Sequence, residues 1–512
     1  MPKKHFFSAR LRVSLFLLFL LSAIMIAVNG NTITSAHNAR GIPTKGLTTI
    51  ELGKTYPAQY ESWKATAEPT PADKSKYKRG YDTDGILYSK IDEYPYLALL
   101  LNGWGYGAEF TEPRGHVYMI EDQVDIEPTR LKAGGSCLSC KTPYAQDLQT
   151  ELGEDYFKKS YAELRDDIPA QDQLLGVTCV DCHNTDDLSL KISRGFTLGK
   201  ALPQIGKQPS DLSNQDKRTL VCAQCHVTYT MPKNAQMKTT DVLFPWSGSQ
   251  WGNISVENII ATIKSDPTYK EWTQSVTGFK LGFVRHPEFE FFSKDSPHWQ
   301  AGLSCADCHM PSTGAADQTI SDHRIMSPLK NDLTACAACH TEDPNSLREM
   351  VFAIQDNTAT AMINTGYALA GVAKLFELAH HSSAAGTITT TSFYQQAKEA
   401  YEQAFYRLMF IQNENSTGFH NPAEATRILN DTEKYTNTAE RLLREAIITS
   451  GITIPEIVDL ELDQYLYNRG NKKLNFNPDM EIVLPQTPHY PDSLSEEPHQ
   501  ITHPSANAAL PQ

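Results

Sequence analysis

Cys137-Leu138-Ser139-Cys140-Lys141 is the stretch on which the fold and the chemistry of this chain turn. Four other stretches read Cys-x-x-Cys-His: Cys179 to His183, Cys222 to His226, Cys305 to His309 and Cys336 to His340. Two thiols at this spacing can add to the vinyl groups of one haem, and the side chain that follows can ligate its iron. Five such units use all ten cysteines. A disulfide framework has no need of pairs fixed at this spacing with histidine behind four of them, and zinc knuckles pair at closer intervals. The pattern predicts five covalently bound haems c, held by Cys137 and Cys140, Cys179 and Cys182, Cys222 and Cys225, Cys305 and Cys308, and Cys336 and Cys339. In the first motif lysine stands where histidine is expected. Its amine must be neutral to bind iron, a perturbation that the metal's own charge can supply. A relay haem gains nothing obvious from such a ligand, so Lys141 marks the haem where chemistry is expected.

The sixteen histidines extend the argument. His183, His226, His309 and His340 are the proximal ligands. Low-spin electron carriers need a second axial ligand each. His116, His298, His323 and His420 sit in loop or helix-edge contexts and are the candidates, although any one of them could equally be a hydrogen-bonded structural histidine. His380 and His381, adjacent near a helix end, read as surface residues.

Outward from the motifs, the chain divides into unlike parts. Residues 1–30 carry Lys3, Lys4, Arg10 and Arg12 before an uncharged apolar run from Val13 to Val28, the pattern of a secretory signal or an uncleaved anchor. Export to the periplasm follows in either case, with residues 13–28 as the possible membrane attachment. Residues 31–55 read as a polar tether, and Tyr56 to Ala67 as a first short helix. Residues 56–345 form the expected haem domain. Six glycines between Tyr94 and Lys141 forbid long regular elements there, so the macrocycles are expected to supply most of the core. Residues 346–474 form a helical module. Asp343-Pro344 starts a helix running towards His380, a second spans about Ser392 to Gln412, and Asn421-Pro422 begins a third that Gly451 stops. The proline-rich tail, 475–512, is expected to be extended or disordered. The fold class is therefore mainly α: a loop-rich multihaem core with a C-terminal module of long helices. A net charge of -14 argues against a nucleic-acid partner.

One lysine-terminated motif followed by four histidine-terminated ones resembles the pentahaem cytochrome c nitrite reductases, the ammonia-forming family. The likeness includes Tyr60-Glu61-Ser62-Trp63-Lys64, Pro113-Arg114-Gly115-His116, Cys308-His309-Met310-Pro311, Asp322-His323 and Gly418-Phe419-His420-Asn421-Pro422. It implies a catalytic haem on Cys137, Cys140 and Lys141 with a distal pocket made by an arginine, a tyrosine and a histidine. The histidine falls on His286, the tyrosine on Tyr229, and the arginine best on Arg130, with Lys132 nearby. The family's other axial histidines match His116, His298, His323 and His420. In one place the sequence departs from the pattern. Where the family has carboxylate and amide ligands for calcium beside the active haem, this chain has Thr228, Phe283 and Arg285. A lost carboxylate and a gained cation disfavour a hard divalent ion, which points to a calcium-independent branch with Arg285 in the ion's place.

The resemblance implies reduction of nitrite to ammonium, electrons from a membrane quinol-oxidising multihaem cytochrome or a soluble one, and a homodimer joined by the long helices. Rival readings are a related hydroxylamine or sulfite reductase and a pure electron-relay cytochrome. The relay gives Lys141 no role.

Overall fold

The structure, a computed structural model, describes residues 44–77, 80–85, 88–124, 126, 128–314 and 319–467. The signal or anchor segment, most of the tether and the proline-rich tail lie outside the described residues. Where the tether was expected to end there is instead a helix, α1 (Lys45–Thr55). Its first backbone N–H groups find partners far along the chain: Lys45 N donates to Tyr144 Oη at 2.7 Å and Gly46 N to Asp172 Oδ2 at 3.0 Å. Orphan donors at a helix start need such acceptors, and no local signal announces partners this remote. The expected helix after Tyr56 is present as α2 (Pro57–Lys64), with proline in its first turn and a further 3₁₀ turn at Ala65–Ala67. Trp63 Nε1 donates to Val177 O at 3.1 Å, fastening α2 beside the second motif.

Between Tyr94 and Lys141 the chain makes only short helices, the longest being α3 (Gly134–Lys141), which carries the first motif. Two glycines begin it because neighbouring backbone leaves no room: a Cβ on Gly135 would lie 2.1 Å from Tyr156 O, and one on Gly134 2.3 Å from the carbonyl carbon of Ser160. Two of the other motifs start with a capping box. Asp181, inside Cys-x-x-Cys, accepts from Thr178 N at 2.7 Å, and Asp307 accepts from Ser304 N at 2.7 Å, so in these two a residue between the cysteines helps to cap the short helix. Among the described residues, β-structure is limited to two antiparallel two-residue pairings, Trp272–Thr273 with Lys280–Leu281 and Ser312–Thr313 with Ile320–Ser321, besides isolated bridges. α4 (Glu288–Ser293) follows the first of them.

The C-terminal helices run where the sequence placed them: α5 (Pro344–His381), α6 (Ser392–Asn413) and α7 (Pro422–Thr449). Asp343 caps α5 by accepting from Asn345 N and Ser346 N, Asn421 caps α7 through Glu424 N, and Gly451 leaves α7 at φ +80. They are not, however, a separate module. One hydrophobic core runs from Leu97, Leu138 and Phe283 into Phe376, Phe405 and Leu443. Tyr96 Oη donates to Gln412 Oε1 at 2.6 Å, Tyr406 Oη accepts from Gly282 N at 3.0 Å, and Phe279 packs on Phe376 with ring centres 4.9 Å apart. The apolar stripes of α5–α7 exceed what three helices can bury on one another, so they also cover the haem segment. His380 belongs to this packing rather than to the surface, its Nε2 2.7 Å from Tyr394 Oη, whereas His381 is exposed as expected.

Candidate functional site

A cavity of about 2040 Å³ winds through the N-terminal segment. All ten cysteines line it, and none of the ten is joined to another in a disulfide. Across it the eight histidines singled out from the sequence meet in four pairs. The ring centres of His183 and His323 are 6.2 Å apart, of His116 and His226 6.3 Å, of His309 and His420 6.2 Å, and of His298 and His340 6.4 Å. A metal–imidazole bond of about 2 Å on each side, plus about 1 Å from each nitrogen to its ring centre, requires a separation of about 6 Å. The residues present thus fit a bis-imidazole iron at each pair, flanked by the two thiols of one motif. Three of the rings are already oriented for it. His183 Nδ1 lies 2.7 Å from Leu188 O, His309 Nδ1 2.8 Å from Met326 O, and His323 Nδ1 2.8 Å from Ser321 O. A proton held at Nδ1 by a carbonyl leaves Nε2 with its lone pair for a metal.

The first motif ends in lysine instead. Lys141 lies in the cavity wall, with its Nζ donating to the buried Gln123 Oε1. Burial pulls its amine below the usual lysine range, with the cation of Arg130 adding to the effect. That is the direction a metal-binding amine requires. Tyr229, His286 and Arg130 line the same cavity. His286 takes φ +44, a left-handed conformation that costs a non-glycine residue energy and persists where the surroundings impose it. Its ring lies 6.5 Å from that of His226, and its Nδ1 is 4.0 Å from Glu288 Oε1. Burial lowers its pKa to about 4, outweighing the pull of Glu288. Burial likewise raises the pKa of Tyr229 well above the ordinary tyrosine value, so its hydroxyl keeps its proton. Of the two candidate cations before Lys141, Lys132 is exposed, while Arg130 is half-buried with its guanidinium carbon 3.7 Å from the centre of the Tyr106 ring.

The Arg285 side chain is buried beside Tyr229. Its Nη1 donates to Glu271 Oε1 at 3.0 Å and to the Tyr229 carbonyl at 3.2 Å, its Nη2 donates to the other Glu271 oxygen, and its backbone N donates to Thr228 Oγ1 at 3.2 Å. Glu271, Gln123, Glu288 and Tyr106 are site residues that sequence reasoning passed over. Glu288 stands two residues after His286 and could have been found there. Tyr106 carried only the weak signal of an aromatic between two glycines, and the other two carried none.

A family model described as Cytochrome c552 matches residues 49–496. The chain belongs to the cytochrome c552 family. Within that family it is 32% identical over 328 residues to a cytochrome c-552 of Desulfotalea psychrophila, which covers 61% of this chain and 59% of that protein. It is 28% identical over 414 residues to the cytochrome c nitrite reductase subunit NrfA of Nitratidesulfovibrio vulgaris, covering 76% of this chain and 77% of that one. A solved structure of cytochrome c nitrite reductase from Desulfovibrio desulfuricans, described for the two calcium sites of its catalytic subunit, superposes with a TM-score of 0.67 at 26% identity. It covers 78% of this chain and 86% of that one. The mainly helical fold of this cytochrome c552 family member is the fold of that reductase.

Proposed function

We propose that this protein is an exported, ammonia-forming nitrite reductase. The observation that carries the reading is the contrast among its five motifs. Four histidines face four partner histidines at iron-bridging distance, whereas Lys141 shares its stretch of cavity with Arg130, Tyr229 and His286. A haem held by Cys137, Cys140 and Lys141 would supply an open iron for nitrite, and the four bis-histidine haems a route for six electrons. The chain's own residues do the rest. Arg130 holds the anion against solvent and offers donors in a planar fork that suits two oxygens. His286, with Nδ1 towards the ionised Glu288, has Nε2 free to take a proton from solvent and pass it on as N–O bonds break. Tyr229, kept protonated by burial, donates a hydrogen bond to the bound anion.

Purified protein supplied with a reduced dye should convert nitrite to ammonium and show one high-spin haem in five. Six-coordinate, low-spin iron throughout would instead make it an electron relay. His286→Asn should lower ammonium formation about a hundred-fold or more while leaving the low-spin spectrum intact, and near wild-type output would refute the role of His286. Relative turnover of nitrite, hydroxylamine and sulfite separates this activity from its nearest chemical rivals.

The reading includes independence from calcium. The Arg285 guanidinium, paired with Glu271 and bonded to the Tyr229 carbonyl, puts a fixed cation where a divalent ion would otherwise brace the pocket. Chelation of calcium should leave turnover within about two-fold of the untreated protein, since the oxygens there, of Glu271 and the Tyr229 carbonyl, are taken up by Arg285. The electron donor in this reading is a membrane quinol-oxidising multihaem cytochrome or a soluble one. Dimerisation in this reading uses the long helices, where Ile448 is 60% exposed. No helix among the described residues is long and apolar enough to cross a membrane. Residues 13–28, the possible anchor, lie outside them.

A further inference from the structure

Arg130 stands in a short 3₁₀ turn, Pro128–Ala133, which does little to fix so long a side chain. What it meets is an aromatic cluster. Its guanidinium carbon lies 3.7 Å from the centre of the Tyr106 ring, and its Nη1 donates to Glu109 O at 3.2 Å. The Tyr106 ring is itself fixed: stacked on Phe283 at 5.7 Å and 28°, and packed edge-on or tilted against Trp104 at 4.6 Å and Phe110 at 4.9 Å. The far side of the same cluster carries the second guanidinium, Arg285, 5.2 Å from the centres of Trp104 and Phe283 and 4.9 Å from that of Tyr229. The two guanidinium cations of the pocket are thus fastened by different means. Arg285 is paired with a carboxylate, which cancels its charge locally. Arg130 lies on a ring face, which orients a guanidinium through its quadrupole while leaving the cation's attraction for an anion largely undiminished. A flexible side chain pre-ordered in this way loses less entropy when the ligand arrives.

We propose that Tyr106 is a positioning residue of the anion pocket: its ring, not its hydroxyl, holds the Arg130 guanidinium in the orientation that meets nitrite. The inference rests on the nitrite-binding reading above. It is separable from catalysis by measuring nitrite affinity directly, as the spectral shift of the high-spin haem in the oxidised holoprotein, beside steady-state turnover and haem content per chain. Tyr106→Phe, which keeps the ring, should bind within about two-fold of wild type, whereas Tyr106→Leu should weaken nitrite binding about ten-fold, raising KM more than it lowers kcat. Arg130→Lys reaches the same contact without touching the aromatic cluster. It keeps the charge and loses the planar stack, so it should weaken binding by a similar factor even if Tyr106→Leu fails to load haem. Combined with Arg130→Ala, Tyr106→Leu should add nothing further. Unchanged affinity in Tyr106→Leu overturns the proposal, as does unchanged affinity in Arg130→Lys. So does an equal loss in Tyr106→Phe, or a double variant weaker than Arg130→Ala by the full Tyr106→Leu factor. Wild-type protein that binds nitrite and yields no ammonium refutes the functional reading instead, and the affinity series still decides the role of Tyr106.

Discussion

The haem segment and the C-terminal helices solve the same problem in opposite ways. From Tyr56 to His340 no helix among the described residues exceeds ten residues, and the chain is wrapped around a cavity of about 2040 Å³ lined by thiols and imidazoles. From Pro344 to Thr449 three helices of 38, 22 and 28 residues bury continuous apolar faces. Long periodic elements arise where side chains alone must make the core. Short ones arise where the chain must bend round room for cofactors. The two parts still share one apolar cluster, so the helices also wall the haem segment.

The strongest way to break this comparison is to withhold haem. Protein made without haem attachment should lose protection from protease across residues 56–340 while circular dichroism retains a helical signal from α5–α7. Equal protection of both parts would show that the haem segment has a core of its own. A smaller effect is expected at the buried ion pair. Glu271→Gln leaves the Arg285 guanidinium buried beside Tyr229 without its partner charge, which should cost about 3–5 kcal/mol in thermal unfolding. A cost under about 1 kcal/mol, typical of exposed pairs, would mean that the pocket is wetter than its burial indicates. In the helical part, Leu443→Ala opens a void in a fully buried stripe and should cost about 3 kcal/mol. It should leave nitrite affinity and the haem spectrum unchanged, and a shift in either would show that the helices tune the site as well as wall it.

A pH-dependent effect is expected at Glu290, whose Oε1 accepts from Trp246 Nε1 at 2.7 Å and Thr228 N at 3.1 Å. Burial pushes its pKa from 4.5 up to about 8. A raised folded-state value means that the folded chain holds the proton through a range where the unfolded chain has released it. Its contribution to stability is therefore full below the unfolded value and falls as pH rises between the two, by up to about 1.4 kcal/mol per pH unit. Glu290→Gln stays neutral throughout, so its advantage in Tm over wild type should grow from about pH 5 to about pH 8. A gap independent of pH would show Glu290 to be ionised in the folded protein.

Much of the architecture was legible because its signals are local. Asp343-Pro344, Asn421-Pro422 and Gly451 mark helix ends through caps and backbone preferences that act within one turn. The helix in place of the tether was not legible, since Tyr144 and Asp172 supply the acceptors for α1 from a remote part of the chain. Nor was the continuity of the two halves, because periodicity shows that α5–α7 have apolar faces and not what those faces meet.

By itself the sequence determined the five Cys-x-x-Cys units, the one followed by lysine, and the set of eight histidines that the structure brings together in pairs. These follow from spacing and counting, which are properties of the chain alone. Only the tertiary structure decided that His183 faces His323 and His309 faces His420, that Glu271 closes on Arg285, and that Arg130 lies on Tyr106. Each of these contacts joins residues at least a dozen positions apart, where loop conformation and packing set the distance.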